Sequence, residues 1–377
     1  MSKTIKTKGA KNKLTWWLAS VIIVATLFSI FYFATNKNTP PNIETTLIPL
    51  SPTETTNETL PLSPNQKILA TDYHVYQTFN NCAPAALSMA LSYFGIENSQ
   101  EELADDLRPY HNLTGQNDDK STPPNELADK AREYGLVAYY RPAGEIETLK
   151  KIIDLGLPIV VRTLLYPDQD YAHYRVVKGY DDITSEIIQD DSLEGKNLRF
   201  TYQEFEKLWQ PFNNAYLVIA RPDQRVVIEK ILGENLESTT AWQKAKASAQ
   251  KILLEEPDNL TASLNLSVTN YYLGDYQGSV TAFEQTTTNL PKHFLWYQNE
   301  PIKAYFELGQ YDQAFALTDK IFADGNKADS ELYLLRGQSY LAQGKTAEAR
   351  AEFEKAVFYN KNDRQAQSAL EKLNATN

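Results

Sequence analysis

The 377-residue chain has a single cysteine, Cys82, and only four histidines. One cysteine excludes an intramolecular disulfide, so the fold cannot depend on a cross-link even in an oxidising compartment. The cysteine and the scattered histidines follow no zinc-ligand spacing, and no glycine-rich loop of the phosphate-binding type is present. We therefore expect neither a metal site nor a bound cofactor.

Basic residues are fewer than acidic ones, with 37 Lys and Arg against 48 Asp and Glu, which gives a net charge of −11. Five of the lysines lie within the first 15 residues, which leaves 32 basic residues against the 48 acidic ones in the rest of the chain. A surface of this sign is a poor match for nucleic acid or for anionic lipid. We therefore expect no nucleic-acid partner.

One long apolar run is present, from Trp16 to Ala34, and its 19 residues carry no charge. This is about the length needed to cross a bilayer, and the basic tail 1–15 should stay in the cytoplasm. A cleaved signal peptide is the alternative, but the run is long and aromatic and no small-x-small cleavage site closes it. We predict a single-pass signal-anchor in the cell membrane, with the body outside, followed by a Pro/Thr-rich extended linker over 35–66.

Residues 67–223 show mixed periodicity, with helical patterns first and strand patterns later, which predicts an α+β domain with an antiparallel sheet. The predicted helices are Ala83–Tyr93, Ser99–Leu107, Pro124–Tyr134, Ile146–Leu155 and Tyr202–Trp209. The predicted strands are Leu136–Tyr140, Pro158–Leu165, His173–Tyr180, Ile183–Gln189 and Tyr216–Ala220.

Residues 224–377 have a different pattern, in which strand signals nearly vanish and an internal repeat is visible. Three similar segments contain the turn glycines Gly274, Gly309 and Gly344, which are 35 residues apart in both intervals. This spacing is close to the 34-residue period of tetratricopeptide (TPR) helix–turn–helix units. We predict an all-α TPR-type domain, and such solenoids offer a surface for a protein partner.

The single cysteine precedes a helical run of small residues. Asn81 is a plausible N-cap and Pro84 suits the first helical turn. Cys82 is therefore predicted at a helix N-terminus, where the dipole and the free N–H groups favour the nucleophilic thiolate. The alternative is a small buried core residue, so the prediction of chemistry depends on partners for the thiol.

A base for Cys82 must come from the four histidines. His293 lies in the repeats and is set aside, and His111 lies in a polar loop. His74 lies eight residues before Cys82, in a strand-like run that can point elsewhere. His173 opens a predicted strand at the end of a loop, where its side chain can lean over a neighbouring site.

Further groups could complete such a site. Asp190, Asp191 and Ser192 follow the next predicted strand, so a carboxylate there can face His173 and fix its tautomer. Gln77, five residues before Cys82, could offer its side-chain N–H₂ to an oxyanion.

These residues together resemble the C39-type, papain-like cysteine peptidases. The similarity covers about Asp72 to Arg221 and rests on Gln77-x-x-x-Asn81-Cys82-Ala83-Pro84-Ala85, His173-Tyr-x-Val-Val-x-Gly179-Tyr180-Asp181 and Asp191-Ser192. The resemblance implies that Cys82 is the nucleophile, His173 the general base and acid, Asp191 the orienting acid and Gln77 the oxyanion donor. The chain departs from the family pattern at Ala83, where glycine is usual, and at Ser192, where proline is common, so Asp190 stays open as a substitute acid.

The expected function is therefore that of a bacterial, membrane-anchored peptidase that hydrolyses a peptide or amide bond with its thiol. The repeats would recruit the substrate or a protein partner. No ATP-binding cassette follows in this sequence, so a leader-peptidase exporter is not expected. Two alternatives remain, a catalytically inactive binding module on the same fold and a thiol amidase or transferase acting on a non-peptide amide.

Overall fold

The computed structural model describes residues 64–110, 122–286 and 289–375. The predicted tail, the predicted membrane segment and nearly all of the predicted linker lie outside these ranges. Among the residues that are described, no helix combines the length and the apolar character that a membrane crossing requires.

Seven strands of the described chain form one sheet in which every pairing is antiparallel. They are β1 (Gln66–Ile68), β2 (Val137–Arg141), β3 (Ile159–Leu164), β4 (Ala172–Asp181), β5 (Glu186–Asp191), β6 (Gly195–Thr201) and β7 (Tyr216–Ala220). Their order is β2-β7-β3-β4-β5-β6, and β1 pairs with β4 off this path. The antiparallel sheet agrees with the predicted α+β domain.

The ten-residue β4 is the centre of the sheet. Along one edge its first part pairs with β3 and its last part, from Gly179 to Asp181, pairs with β1. A Cβ on Gly179 would lie 2.7 Å from the Lys67 backbone oxygen, so the close approach of β1 requires glycine at this position.

Helices cover both faces of the sheet. They are α1 (Cys82–Ser92), α2 (Gln100–Leu107), α3 (Pro124–Glu133), α4 (Ile146–Asp154), α5 (Tyr202–Trp209) and α6 (Arg225–Leu232). Leu217 packs in one buried cluster with α1, α2 and α3, whereas the next residue, Val218, packs in a second cluster with α4, α5 and α6. Because alternate residues of a strand point to opposite faces, the two clusters mark the two sides of the sheet.

The predicted strand Ile183–Gln189 is wrong at both ends, because β5 begins at Glu186 and extends through Asp191. The two aspartates therefore lie inside a strand, where their side chains alternate, rather than after it. Strands β1 and β6 were not predicted at all. The first has only three residues, and β6 is a mostly polar strand at the end of the sheet, so neither shows a strong strand pattern.

The C-terminal part is helical in the described residues, as predicted. Its helices are α7 (Ser238–Glu255), α8 (Leu260–Tyr272), α9 (Tyr276–Glu284), α10 (Phe294–Tyr297), α11 (Glu300–Glu307), α12 (Tyr311–Ala323), α13 (Ser330–Ala342), α14 (Thr346–Tyr359) and α15 (Arg364–Ala375). The turns of three helical hairpins contain Gly274, Gly309 and Gly344 at φ of 77°, 70° and 75°. Glycine adopts this left-handed conformation without strain, which explains the glycine spacing.

The repeat helices pack directly against the sheet domain. Leu208 and Phe212 of the sheet domain share one buried cluster with Phe294 and other residues of the repeats. Asn265 also donates to the backbone oxygen of Gln210 at 2.7 Å, across the same contact. The two parts therefore share a buried apolar interface.

Candidate active site

Cys82 is the first residue of α1 and is half-buried. Asn81 occupies the N-cap position as predicted, but its side chain does not cap the helix. The Asn81 amide instead donates to Thr78 Oγ1 at 2.7 Å and accepts from the buried Arg108 guanidinium. The N–H groups of the first helical turn therefore lack a side-chain cap and lie beside the thiol.

His173, in β4, joins Cys82 to a buried carboxylate. Its ring interacts with the Cys82 thiol through a side-chain hydrogen bond, and its Nε2 lies 2.9 Å from Asp191 Oδ1. An ionised carboxylate can only accept, so Nε2 carries the proton and Nδ1 is left as the basic nitrogen. The structure therefore brings Cys82, His173 and Asp191 into one chain of contacts.

The register of β4 and β5 explains this geometry. Asp191 lies directly opposite Arg175, so His173, two residues earlier on the same side of β4, is its diagonal neighbour. Arg175 is fully buried, and its Nε donates to Asp191 Oδ2 at 2.7 Å. The other oxygen, Oδ1, also accepts from the backbone N–H groups of Leu193 at 2.7 Å and Glu194 at 3.1 Å.

Asp190 has different partners from Asp191. Its carboxylate pairs with the buried Lys178 ammonium at 2.7 Å and accepts from the backbone N–H of Asn197 at 2.9 Å. Adjacent residues of a strand point to opposite sides, so only one of the two aspartates can face His173. In the structure that residue is Asp191.

The pKa values of the three groups are shifted in directions that favour a charged pair. Burial by itself raises the pKa of Cys82, but the hydrogen bond and charge of His173, helped by Arg108, hold it below its ordinary value. Burial opposes the charge on His173, yet the hydrogen bonds to Asp191 and Cys82 raise its pKa. The pKa of Asp191 is strongly lowered, because its bonds to His173 and Arg175 outweigh its burial. A thiolate and an imidazolium are thus favoured together.

Gln77 lies on the segment that leads to α1 and is anchored by Ser192. Its backbone N–H donates to the Ser192 backbone oxygen at 2.9 Å, and its side-chain Oε1 accepts from the Ser192 hydroxyl at 2.8 Å. With its oxygen bonded to this hydroxyl, the carboxamide has its NH₂ end left for another acceptor. Within the described residues, Ser192 thus has a contact that proline could not make.

Several residues near the site were missed or set aside at the level of sequence. Arg108 and Arg175 have no motif that separates them from ordinary surface arginines, although both are buried. His74 does reach the site, since its Nε2 lies 2.9 Å from the Asp191 backbone oxygen. His74 therefore contacts the backbone of Asp191 and not the thiol of Cys82.

His293, which lies in the repeats and was not expected near the site, contacts the loop that leads into β4. Its Nδ1 lies 2.7 Å from Asp170 Oδ1, and its backbone N–H donates to Asp170 Oδ2 at 3.0 Å. The imidazole also stacks on Tyr171 with ring centres 4.2 Å apart. A residue of the repeats therefore holds the segment that ends two residues before His173.

The two parts of the chain match known family models. Residues 65–217 match the Peptidase_C39 like family, and residues 305–373 match the tetratricopeptide repeat. These matches confirm the predicted order of a C39-like peptidase domain followed by TPR repeats. No curated protein matches the chain.

Solved structures also resemble separate parts of the chain. A protein described as a C39-like peptidase from Bacillus anthracis is 20% identical, with 41% of this chain and 98% of that chain covered and a TM-score of 0.35. The peptidase domain of Streptococcus ComA, a bifunctional ABC transporter, is 23% identical, with 39% and 96% covered and a TM-score of 0.31. MamA is 16% identical, with 36% and 78% covered and a TM-score of 0.33.

Proposed function

We propose that this chain, in which a C39-like peptidase domain is followed by TPR repeats, is a cysteine peptidase with Cys82 as its nucleophile. The observation that carries the proposal is the continuous contact from Cys82 through His173 to Asp191, with the pKa of the thiol lowered and that of the imidazole raised. A thiolate paired to an imidazolium is the activated form of a cysteine nucleophile.

In the first half of the proposed reaction, the Cys82 thiolate attacks the carbonyl carbon of a peptide bond. The Gln77 carboxamide and the backbone N–H of Cys82 would donate to the oxygen that becomes negative. His173 then transfers its proton to the departing amine as the C–N bond breaks. The products of this half are the free amine and a thioester on Cys82.

In the second half, His173 accepts a proton from water as the water oxygen attacks the thioester carbonyl. The C–S bond breaks, the carboxylic acid leaves, and the thiolate–imidazolium pair forms again. Asp191 keeps the imidazole in one tautomer and stabilises its positive form throughout, without itself taking a proton.

We further propose that the segment Trp16–Ala34 anchors the protein in the membrane and that the body lies outside the cell membrane. The uncharged run and the basic tail support this orientation, although both lie outside the described residues. The repeats would bring a protein substrate or partner to the peptidase domain, which is the usual use of such surfaces.

The test is the intact mass of the reduced full-length protein after brief treatment with a papain-type epoxide inhibitor. We expect one adduct, located on Cys82 by peptide mapping, and its loss in Cys82→Ala and in His173→Ala. The His173→Ala sample needs an unchanged circular dichroism spectrum, so that loss of labelling is not loss of fold. Absence of any adduct in the wild-type protein would refute the peptidase proposal and favour a binding module.

A further inference from the structure

A cleft of about 450 Å³ lies between the peptidase domain and the repeats. Arg162 and Tyr140 belong to its peptidase side, and Trp242, Tyr272, Tyr297 and Glu300 to its repeat side. The volume falls in the range of roughly 300–1,000 Å³ that is usual for ligand pockets. Aromatic rings form much of the repeat side, and Trp242 stacks on Tyr272 with ring centres 4.0 Å apart.

Two buried charged side chains in this cleft have an unused hydrogen-bonding atom. Arg162 is 8% exposed, and its Nε has no partner among the described residues. Glu300 is 9% exposed, and its Oε1 accepts from the Tyr272 hydroxyl at 2.9 Å, while its Oε2 likewise has no partner in the described structure. Native proteins seldom leave such groups unsatisfied, so the Arg162 donor and the Glu300 acceptor are expected to bind a ligand or water.

Two tyrosines connect the cleft to the neighbourhood of the thiol. Tyr297 lines it, and after the effect of burial the negative charge of Cys82 is the next cause that raises the pKa of the Tyr297 hydroxyl. Tyr174, whose backbone contacts Cys82, donates its hydroxyl to the backbone oxygen of Thr122 at 2.8 Å, and Thr122 also lines the cleft. Tyr174 and Thr122 thus connect the cleft to the thiol, although Cys82 itself is not one of the lining residues.

We infer that this cleft binds an extended polypeptide segment of the substrate, with the repeats supplying one wall of the peptidase's substrate site. Arg162 Nε donates to a substrate carbonyl and Glu300 Oε2 accepts from a substrate amide N–H. A peptide backbone offers both groups at once, and the aromatic wall suits a large apolar side chain. This inference rests on the proposed function and makes Arg162 and Glu300 positioning residues for the substrate.

The test compares two thiol probes on the full-length protein. Iodoacetamide reports the reactivity of Cys82 alone, whereas a library of epoxysuccinyl dipeptide amides, randomised at both residues, also reports binding beside it. The rates of both reactions are measured by intact mass for wild type, Arg162→Lys and Glu300→Gln. Glu307→Gln is the matched control, since Glu307 is exposed on the same helix, α11, and does not line the cleft.

We expect Arg162→Lys and Glu300→Gln each to slow labelling by the dipeptide library at least tenfold and to change iodoacetamide labelling less than twofold. The adducts formed by wild type should be enriched in large apolar residues, and Glu307→Gln should match wild type. Unchanged library rates in both variants would overturn the inference, and so would an equal loss with both probes. A wild-type Cys82 that reacts with neither probe would instead refute the proposed function.

Discussion

The contacts of Asp191 lead to a prediction for Asp191→Asn. A carboxamide has one oxygen, and three donors meet at the Oδ1 position, namely His173 Nε2 and the backbone N–H groups of Leu193 and Glu194. The oxygen of the new amide should stay there. Its NH₂ group then faces the Nε of Arg175, where a 2.7 Å ion pair is replaced by two opposed donors.

The substitution should therefore reduce the stability of the fold, while the imidazole of His173 keeps its orientation. Removing one partner of a buried ion pair typically costs about 3–5 kcal/mol. The fully buried Arg175 keeps its bonds to Thr163 and to two backbone oxygens, so we expect about 3 kcal/mol, the lower end of that range. The thermal midpoint should fall by roughly 6–12 °C at about 2–4 °C per kcal/mol.

The same substitution removes the negative charge that raises the pKa of His173. A lower pKa of His173 reduces the thiolate–imidazolium population, so iodoacetamide labelling of Cys82 near pH 7 should slow several-fold. Asp190→Asn is the matched control. It also breaks a buried ion pair, with Lys178, and should lower stability while it leaves the labelling rate unchanged.

Thermal unfolding and labelling rates are measured for all three proteins between pH 3 and pH 8. The folded pKa of Asp191 is depressed, so its carboxylate stabilises the fold above the unfolded pKa of about 3.9, and this contribution is lost as the pH falls through the lower folded value. The stability difference between wild type and Asp191→Asn should thus shrink in acid. Equal stability at pH 7, or equal slowing in Asp190→Asn, would refute the reasoning.

Three further predictions concern the surroundings of the thiol. His293→Ala should free Asp170 and slow Cys82 labelling several-fold, with faster hydrogen exchange over 166–172 as the readout of a loosened loop. Ser192→Ala should slow labelling little, because alkylation needs no oxyanion donor, but should slow peptide hydrolysis about tenfold by releasing Gln77. The rate at which Cys82 reacts with iodoacetamide should reach half its maximum at a pH below about 8.5, the pKa of a free thiol, because the pKa of Cys82 is lowered. Unchanged hydrogen exchange in His293→Ala would contradict the first prediction. Equal slowing of labelling and hydrolysis in Ser192→Ala would contradict the second, and the pH profile of a free thiol at Cys82 would contradict the third.

The sequence alone was enough to place a residue on its helix or strand where a local pattern coincided with a rare residue type. Cys82 is unique in the chain and precedes a proline-started helical run, and α1 begins at that residue. His173 was singled out because it opens a strongly β-branched strand, and β4 contains it one residue from its start. Periodicity and turn residues thus placed Cys82 and His173 on the correct elements.

The remaining parts of the site depend on pairings that no local pattern encodes. The choice between Asp190 and Asp191 follows from the register of β4 and β5, which the predicted strand ending at Gln189 could not give. The burial of Arg175 follows from the same register. His293 meets Asp170 across 123 residues of chain, through an interface between two parts that were read separately from the sequence. Such long-range contacts are set by tertiary packing.

Because His293 lies so far along the chain, its contact with Asp170 can form only late in synthesis. Synthesis at about 5–20 residues per second would leave the loop around Asp170 without its partner for roughly 6–25 s, because His293 follows it by 123 residues. Tyr297 and Glu300 emerge later still, so the nascent peptidase domain has its thiol and histidine before its cleft has a second wall. A newly made chain would therefore acquire the second wall of the proposed substrate site only after Glu300 has been synthesised, which limits the time in which it could cleave its neighbours.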